Sequence, residues 1–487
     1  MTVKTRFPPS PTGYLHIGSL RTALYNFYFA KKHGGSFLLR IEDTDRARYV
    51  DGSIEALIRT LARMGIIYEE GPILVDGQLS QKGPNGPYIQ SERLALYQEH
   101  AKRLVDSGHA YHCFCSKERL EELREIQQAA KKPTKYDRLC LSLKREEVDR
   151  RIAAGEMGVI RMLIPEGKTT FQDEVRGSVT IDHREIDDQV LLKADGFPTY
   201  HLAVVVDDHA MGITHIIRGE EWLSSVPKHV LLYEWFGFAL PVFAHLPLIL
   251  NPDKSKLSKR QGDVSVEDFL EKGYLEEALI NFVSLLGFNP TADREIYSQD
   301  ELIEAFDLKK INKSGAVFDV NKLLWMNGQY IKSLSGVELA KRVKPYVAGE
   351  GEIDQGLLER VCEVEKSRMN ILGDISSVIR LYTAQPAYDS TMLVWKKADR
   401  EDARLQLSGV KDFLVNLEAK QFSSPMLIDG ALKGYIETRS LQNGNVLWPL
   451  RVALSGAERS AGPHELTWVL GQKESLRRID HALHLLS

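Results

Sequence analysis

Pro9-Ser10-Pro11-Thr12-Gly13-Tyr14-Leu15-His16-Ile17-Gly18-Ser19 joins two stretches of different character. Residues 3–9, before and into it, read as a short strand ending in two prolines. From Ser19 to Lys32 the pattern is helical: Leu20, Ala23, Leu24, Phe27 and Tyr28 recur at helical spacing, and Gly34-Gly35 ends it. Phe37-Leu38-Leu39-Arg40-Ile41 then reads as a strand, with Glu42-Asp43-Thr44-Asp45 at its carboxyl end. Strand, helix, strand is the unit of a parallel doubly wound sheet. Ligands of such sheets sit beyond the carboxyl ends of strands, where residues 10–18 and 42–45 both fall.

The prolines stiffen the 9–19 loop, and Gly13 and Gly18 let a ligand approach the backbone. His16 precedes a helix whose free N–H groups and dipole favour an anion. A polyphosphate fits there, with the imidazole donating to it; the plainer reading is a Pro/Gly turn with an incidental histidine. A second segment, Lys256-Leu257-Ser258-Lys259-Arg260, follows an apolar strand expected over 244–250. Lysine is a mobile point charge suited to a departing pyrophosphate, whose developing charge it would neutralise. Alone, such a run is usually a solvated basic loop. Together and in this order, the two segments describe a grip on ATP phosphates from two sides, as needed to activate a carboxylate by adenylation.

At 487 residues the chain is too long for one core, and two to four domains are expected. Hydrophobic content of 43% with 27% charged residues fits a globular protein without a membrane span. Met1 to Arg6 lacks the apolar core of a secretory signal. The formal net charge of −4 means that any nucleic-acid contact relies on local basic patches. Four cysteines exclude a disulfide framework and suit a cytoplasmic location.

The Rossmann-type catalytic domain is expected over 1–110 and 201–250, interrupted by an insertion over 111–200. That insertion carries basic pairs (Lys131-Lys132, Lys144-Arg145, Arg150-Arg151) and strand-like runs at 159–161 and 178–181. The sheet is expected to resume with strands at 199–206 and 214–218, followed by Gly219-Glu220-Glu221-Trp222 and a helix through Val230-Leu231-Leu232. A linking region covers 251–335. Residues 336–487 read as helical: Leu476, Ile479, Leu483 and Leu486 form one stripe, and strand signals are scarce.

His16-Ile17-Gly18-Ser19 resembles the first signature of class I aminoacyl-tRNA synthetases, and Lys256 to Arg260 resembles the second. The flanking segments sharpen this. Arg6 to Gly18, Arg40-Ile41-Glu42-Asp43-Thr44-Asp45-Arg46, Pro198 to Leu202, Val206-Asp207-Asp208-His209, Asn251-Pro252-Asp253-Lys254 and Phe318 to Gly328 are similar to the glutamyl-tRNA synthetases of bacterial type. The resemblance implies an α/β fold: a class I Rossmann-like sheet with an inserted α+β acceptor-binding domain, then a stem-contact region over 251–335 that carries the Lys256–Arg260 loop, followed by an all-α anticodon-binding region. It implies two-step attachment of L-glutamate to tRNA through glutamyl-adenylate. ATP with Mg2+ would be a substrate, tRNA(Glu) the partner, and a monomer the expected state.

By the same resemblance, Arg6 and Arg218 hold glutamate carboxylates, which bidentate arginine–carboxylate pairing supports. Ser10 and Glu42 meet the α-amino group, and Tyr200 offers a hydroxyl. His16, Gly18, Glu221, Trp222, Ser258 and Lys259 border ATP, with His16, Lys256 and Lys259 stabilising the phosphates. Arg368 resembles an arginine that helps read the third anticodon base. Ser19 stands where the first signature often has a second histidine, and Val204 where some relatives have a pocket asparagine.

Cys113, Cys115 and Cys140 cluster in the insertion. Some relatives hold zinc there with a histidine two positions after the third cysteine, but this chain has Ser142. His112 or Tyr136 could complete the four ligands that a structural zinc requires; the competing reading is a set of reduced thiols. Two other functions stay open on sequence alone: a glutaminyl-tRNA synthetase, against which the Ser10-Pro11-Thr12-Gly13 segment and the helical C-terminus argue, and an RNA-binding paralogue with degenerate activity.

Overall fold

The computed structural model describes residues 2–257, 264–291 and 293–487. β1 (Lys4–Phe7) and β2 (Ser36–Leu39) pair in parallel, with Arg6 opposite Leu38. α1 (Ile17–Lys32) connects them, so the expected strand–helix–strand unit is present. Leu20, Leu24, Tyr25 and Tyr28 on α1 are fully buried, and Tyr25 and Tyr28 pack on Phe306 at centroid distances of 5.0 and 5.9 Å. Lys31 and Lys32 in the last turn complement the carbonyl end of the helix dipole.

Much of the insertion is carried by two sheets. β3 (Ala110–Cys113), β4 (Val159–Met162) and β7 (Val190–Leu192) form a three-stranded antiparallel sheet. Between β4 and β7, the hairpin of β5 (Lys168–Asp173) and β6 (Gly177–Asp182) leaves that sheet and joins another. Its partner strand is β9 (Val242–Leu246), which pairs in parallel with β8 (His215–Gly219), giving the order β8-β9-β5-β6. Thr214 N donates to Lys4 O at 2.9 Å, which brings β8 beside β1. Part of the insertion therefore extends the catalytic sheet itself.

The strand expected at 199–206 is instead the start of α2 (Tyr200–Ala210). Leu202, Ala203, Val204, Val205 and Val206 are all buried, so no amphipathic stripe marks the helix. A short apolar run rich in β-branched residues reads equally as a buried strand, and here tertiary packing overrides propensity. Val204 packs with Leu231 and Leu232 of α3 (Val226–Phe236) in the apolar cluster. The apolar strand expected over 244–250 is divided into β9 and a two-residue strand, Ile249–Leu250.

Contacts divide the protein into two units, Met1–Phe269 with Leu279–Asp319, and Leu270–Ala278 with Val320–Ser487. The second unit is helical, and no strand follows Val317 among the described residues. Its core joins Val343, Leu358, Leu407, Leu450, Val469 and Ile479. The last helix, Pro463–Leu486, is interrupted at Gly471, where φ of 71° suits a residue without a Cβ. Beyond that break Ile479 and Leu486 are buried and Leu476 and Leu483 pack against the same core, which makes the expected stripe a core face. Arg478 is fully buried and donates to the carbonyls of Leu381, Leu454, Tyr382 and Ala384. Among the described residues, no helix is long and apolar enough to cross a membrane.

Candidate active site

A cavity of about 740 Å³ in the first unit opens beyond the carboxyl ends of β1, β2 and β8. Arg6, Ser10, His16, Gly18, Glu42, Tyr200, Arg218, Glu221, Trp222 and Lys256 all line it, residues drawn from positions 250 apart in sequence. Ser258 and Lys259 lie outside the described residues, as does Arg260.

The phosphate side is built from the α1 N-terminus. His16 caps the helix, its Nδ1 accepting from Gly18 N at 2.9 Å. Nδ1 must therefore carry a lone pair, which places the proton of a neutral ring on Nε2. Gly18 leaves the imidazole its room: a Cβ there would stand 3.3 Å from His16 Nδ1 and press on the ring. The second segment enters through a tight turn. Asp253 Oδ1 accepts from Ser255 N at 2.8 Å, and Leu257 N returns to Ile249 O at 3.0 Å, which presents the exposed Lys256 at the cavity wall. Where the chain is described again, Ile17 N donates to Val264 O at 2.9 Å and Val266 N to Leu15 O at 2.8 Å. Both flanks of residues 258–263 are thus tied to the cavity's surroundings.

The opposite wall is a buried charge network. Arg6 is completely buried; its Nε donates to Asp208 Oδ1 and Oδ2 at 3.1 and 3.2 Å. Arg40 Nη1 reaches the same carboxylate at 2.8 Å while its Nη2 meets Glu42 Oε1 at 3.0 Å. Burial alone would raise the Asp208 carboxyl, but Arg6 and Arg40 outweigh it and hold it below the usual range. Behind it, Asp207 accepts from Arg93 Nε at 2.7 Å, Tyr97 Oη at 2.8 Å and Gln90 Nε2 at 2.9 Å. With Nε committed to Asp208, Arg6 Nη1 and Nη2 are buried and have no hydrogen-bond partner among the described residues. A buried donor pair of this kind is costly unless a ligand takes it up, and its fork matches a carboxylate.

Arg218 is arranged differently. Its Nη1 donates to Tyr200 Oη at 2.8 Å and its Nε to His245 Nε2 at 3.1 Å. The Tyr200 ring packs on Trp222, 4.1 Å between centroids, and Trp222 remains 37% exposed at the cavity mouth.

Two further groups of sequence candidates lie elsewhere. The Sγ atoms of Cys113, Cys115 and Cys140 all fall within 4.8 Å of one another. Tyr136 Oη stands 3.4 Å from Cys113 Sγ and 3.3 Å from Cys115 Sγ, whereas Ser142 Oγ turns to its own backbone at Leu139 O, 2.8 Å away. Of the two alternatives left open by the sequence, Tyr136 and not His112 adjoins the thiols. In the second unit, Arg368 donates to Glu465 Oε2 at 3.1 Å and to Val364 O at 3.0 Å, with its side chain 42% exposed.

Asp207, Asp208, Arg40, His229 and His245 join the site without a role legible in the sequence. The readable signal was an Asp-Asp pair closing an apolar run, and a histidine inside the apolar strand Val242–Leu246.

A parallel sheet that brings a histidine-capped helix and a lysine-bearing turn to one cavity, with a helical unit after it, is the architecture of the class I aminoacyl-tRNA synthetases. Residues 2–325 match the family "tRNA synthetases class I (E and Q), catalytic domain", and residues 338–483 match "Anticodon binding domain". The chain is 45% identical over 491 residues to the glutamate–tRNA ligase of Alkaliphilus metalliredigens, covering 99% of this chain and 98% of that one. It is 46% identical to that of Chloroherpeton thalassium, covering 100% and 98%. A crystal structure of a glutamate tRNA ligase from Elizabethkingia meningosepticum, in complex with its amino acid, superposes with a TM-score of 0.90 at 34% identity, over 100% of both chains. The chain belongs to the glutamate–tRNA ligase family.

Proposed function

We propose that this enzyme attaches L-glutamate to tRNA(Glu) using ATP, and that its residues divide the work as follows. Arg6 and Arg218 hold the carboxylates of glutamate, Ser10 and Glu42 meet its α-amino group, and Tyr200 donates through its hydroxyl. Glu221 and Trp222 border the nucleotide; Gly18 admits the phosphates to the α1 N-terminus. The glutamate α-carboxylate attacks the α-phosphorus, an O–P bond forms, and the α–β bond breaks to release pyrophosphate. Lys256 and Lys259 neutralise the charge on that leaving group and His16 donates a hydrogen bond to it through Nε2–H, with Ser258 contributing to ATP binding and Mg2+ travelling with ATP. The terminal ribose hydroxyl of tRNA then displaces AMP from the anhydride. Catalysis is positioning and charge neutralisation, without a side-chain general base.

The observation that carries this reading is Arg6: a fully buried guanidinium in the cavity wall whose two outer nitrogens have no partner among the described residues. Glutamate-dependent ATP–pyrophosphate exchange in the presence of tRNA tests it. Exchange with glutamate supports the assignment; exchange with glutamine or aspartate only, or none with any of the three, overturns it.

The remaining assignments concern binding of tRNA and metal. The insertion over 111–200 faces the acceptor end, 251–335 contacts the stem, and 336–487 reads the anticodon, where bases are recognised by stacking and edge hydrogen bonds. Arg368 is exposed enough to exchange Glu465 for a base edge. The enzyme works as a cytoplasmic monomer. Cys113, Cys115 and Cys140 hold a structural zinc with Tyr136 as fourth ligand. The negative charge of three thiolates is met by Arg119, whose Nη1 is 3.5 Å from Cys115 Sγ, and by Arg161, 4.2 Å above the Tyr136 ring. Elemental analysis of protein purified without added zinc should return about one zinc per chain; a metal-free, folded, active enzyme would refute it.

A further inference from the structure

Among the described residues, no carboxylate holds Arg218. Its four described partners are His245 Nε2 at 3.1 Å, Tyr200 Oη at 2.8 Å, and Trp222 O and His229 Nδ1, each at 3.4 Å. Arg6, across the cavity, has its charge matched by Asp208. An imidazole nitrogen accepts from a guanidinium only if it carries a lone pair. His245 meets that condition because its Nδ1 lies 2.6 Å from Asp173 Oδ2, which fixes the proton on Nδ1. The other oxygen, Asp173 Oδ1, accepts from the backbone of Val175 at 3.0 Å, Arg176 at 2.8 Å and His245 at 3.3 Å, so neither oxygen is left for Arg218. His229 meets the condition by donating its Nε2–H to His201 Nδ1 at 3.1 Å. One set of tautomers satisfies the whole chain, Asp173–His245–Arg218–His229–His201.

Arginine stays protonated in proteins. A carboxylate behind it would orient it and also cancel its charge; neutral acceptors orient it only. A substrate carboxylate then meets an uncancelled cation, whereas a carboxamide leaves that cation buried without a counter-charge and sets N–H against N–H. We propose that His245, held by Asp173, and His229 are specificity-determining positioning residues, which seat Arg218 through neutral acceptors and thereby set the preference for a carboxylate over a carboxamide side chain. This rests on the proposed role of Arg218 in holding a carboxylate of glutamate, and assigns it the one on the side chain. Burial keeps both imidazoles below their ordinary range, in line with the neutral forms the geometry demands.

Asp173→Asn tests the seat. The three backbone N–H groups hold the amide oxygen where Oδ1 now sits, so Nδ2 faces His245 Nδ1, the ring proton moves to Nε2, and donor opposes donor at Arg218 Nε. The glutamate KM should rise at least about tenfold while the ATP and tRNA KM values stay within about twofold. His229→Asp adds a counter-charge, and the ratio of kcat/KM for glutamate over glutamine should fall at least about tenfold; His229→Asn, still a neutral acceptor, should keep it within about threefold. A wild-type glutamate KM in Asp173→Asn, or wild-type discrimination in His229→Asp, overturns the inference while wild-type charging leaves the parent reading standing. Absence of glutamylation by the wild-type enzyme removes both. Should His229→Asp melt below the assay temperature, Asp173→Asn carries the discrimination test: a tenfold loss of ratio supports the inference and an unchanged ratio overturns it.

Discussion

Asp208→Asn is the substitution that most directly probes how the cavity is built. One carboxylate, fully buried, serves Arg6 Nε at 3.1 and 3.2 Å and Arg40 Nη1 at 2.8 Å. Asparagine offers one oxygen and no charge. Arg40 keeps Glu42 at 3.0 Å, but Arg6 keeps no carboxylate among the described residues. Removing one partner of a buried pair costs about 3–5 kcal/mol. The retained amide oxygen recovers part of this, since a hydrogen bond to a charged group is worth about 1.5–3 kcal/mol. The expected loss is about 1.5–2 kcal/mol, between about 12- and 30-fold in the folding equilibrium. Because two units complicate a single global transition, the loss is read by hydrogen exchange of the full chain in urea. Amides of α2 (Tyr200–Ala210) should lose that protection, while those of Pro425–Thr438 in the second unit should not change. The glutamate KM should rise about tenfold as Arg6 loses its orientation. A loss under about 1 kcal/mol, the size of an exposed ion pair, or an unchanged glutamate KM would refute the reasoning.

Gly18→Ala forces the His16 ring from a Cβ 3.3 Å away; kcat/KM for ATP should fall about tenfold in pyrophosphate exchange without loss of melting temperature, since alanine favours the helix by about 1 kcal/mol. Arg478→Ala strands the buried carbonyls of Leu381, Leu454, Tyr382 and Ala384, so exchange should accelerate through Asn443–Ser455 by more than about 3 kcal/mol while α2 stays protected. Acidification should destabilise the first unit through its buried histidines: burial, with Lys228 and Arg218 adding, pushes His201 down to about 3, and burial also lowers His229 and His245. Each binds its proton in the unfolded chain below pH of about 6.5 but not in the fold, so stability falls as pH drops from that value, by about 1.4 kcal/mol per pH unit for each group still neutral when folded. A urea midpoint for α2 that holds or rises between pH 7 and 5.5 would contradict those neutral imidazoles.

The elements with a clear period were readable in the sequence. The apolar stripe of α1 (Ile17–Lys32) and the helical tail with Ile479 and Leu486 in its core both stand where spacing put them. Residues 199–206 were not, because a helix buried on every side shows no polar face, and three consecutive valines favour a strand. The cavity wall was half readable. Arg6, Glu42, Tyr200 and Arg218 could be found because they sit in recognisable segments, and all line one cavity. The groups that orient them could not: Asp208 reaches Arg6 from α2, 202 residues on, and His245 reaches Arg218 because β9 pairs in parallel with β8, with Asp173 of the insertion held behind it. The cysteine cluster shows the same division, since Tyr136 is four residues from Cys140 yet only the fold turns its hydroxyl toward Cys113 and Cys115.

Charging of purified glutamate and glutamine tRNAs with labelled glutamate, and in parallel with labelled glutamine, is the most direct test of the central claim that this cavity attaches glutamate to tRNA. ATP-dependent formation of glutamyl-tRNA on the glutamate tRNA, lost when Arg6 is replaced by alanine, is the predicted result. Labelled glutamine transferred in preference to glutamate, or no transfer of either amino acid to either tRNA by folded enzyme, would contradict it.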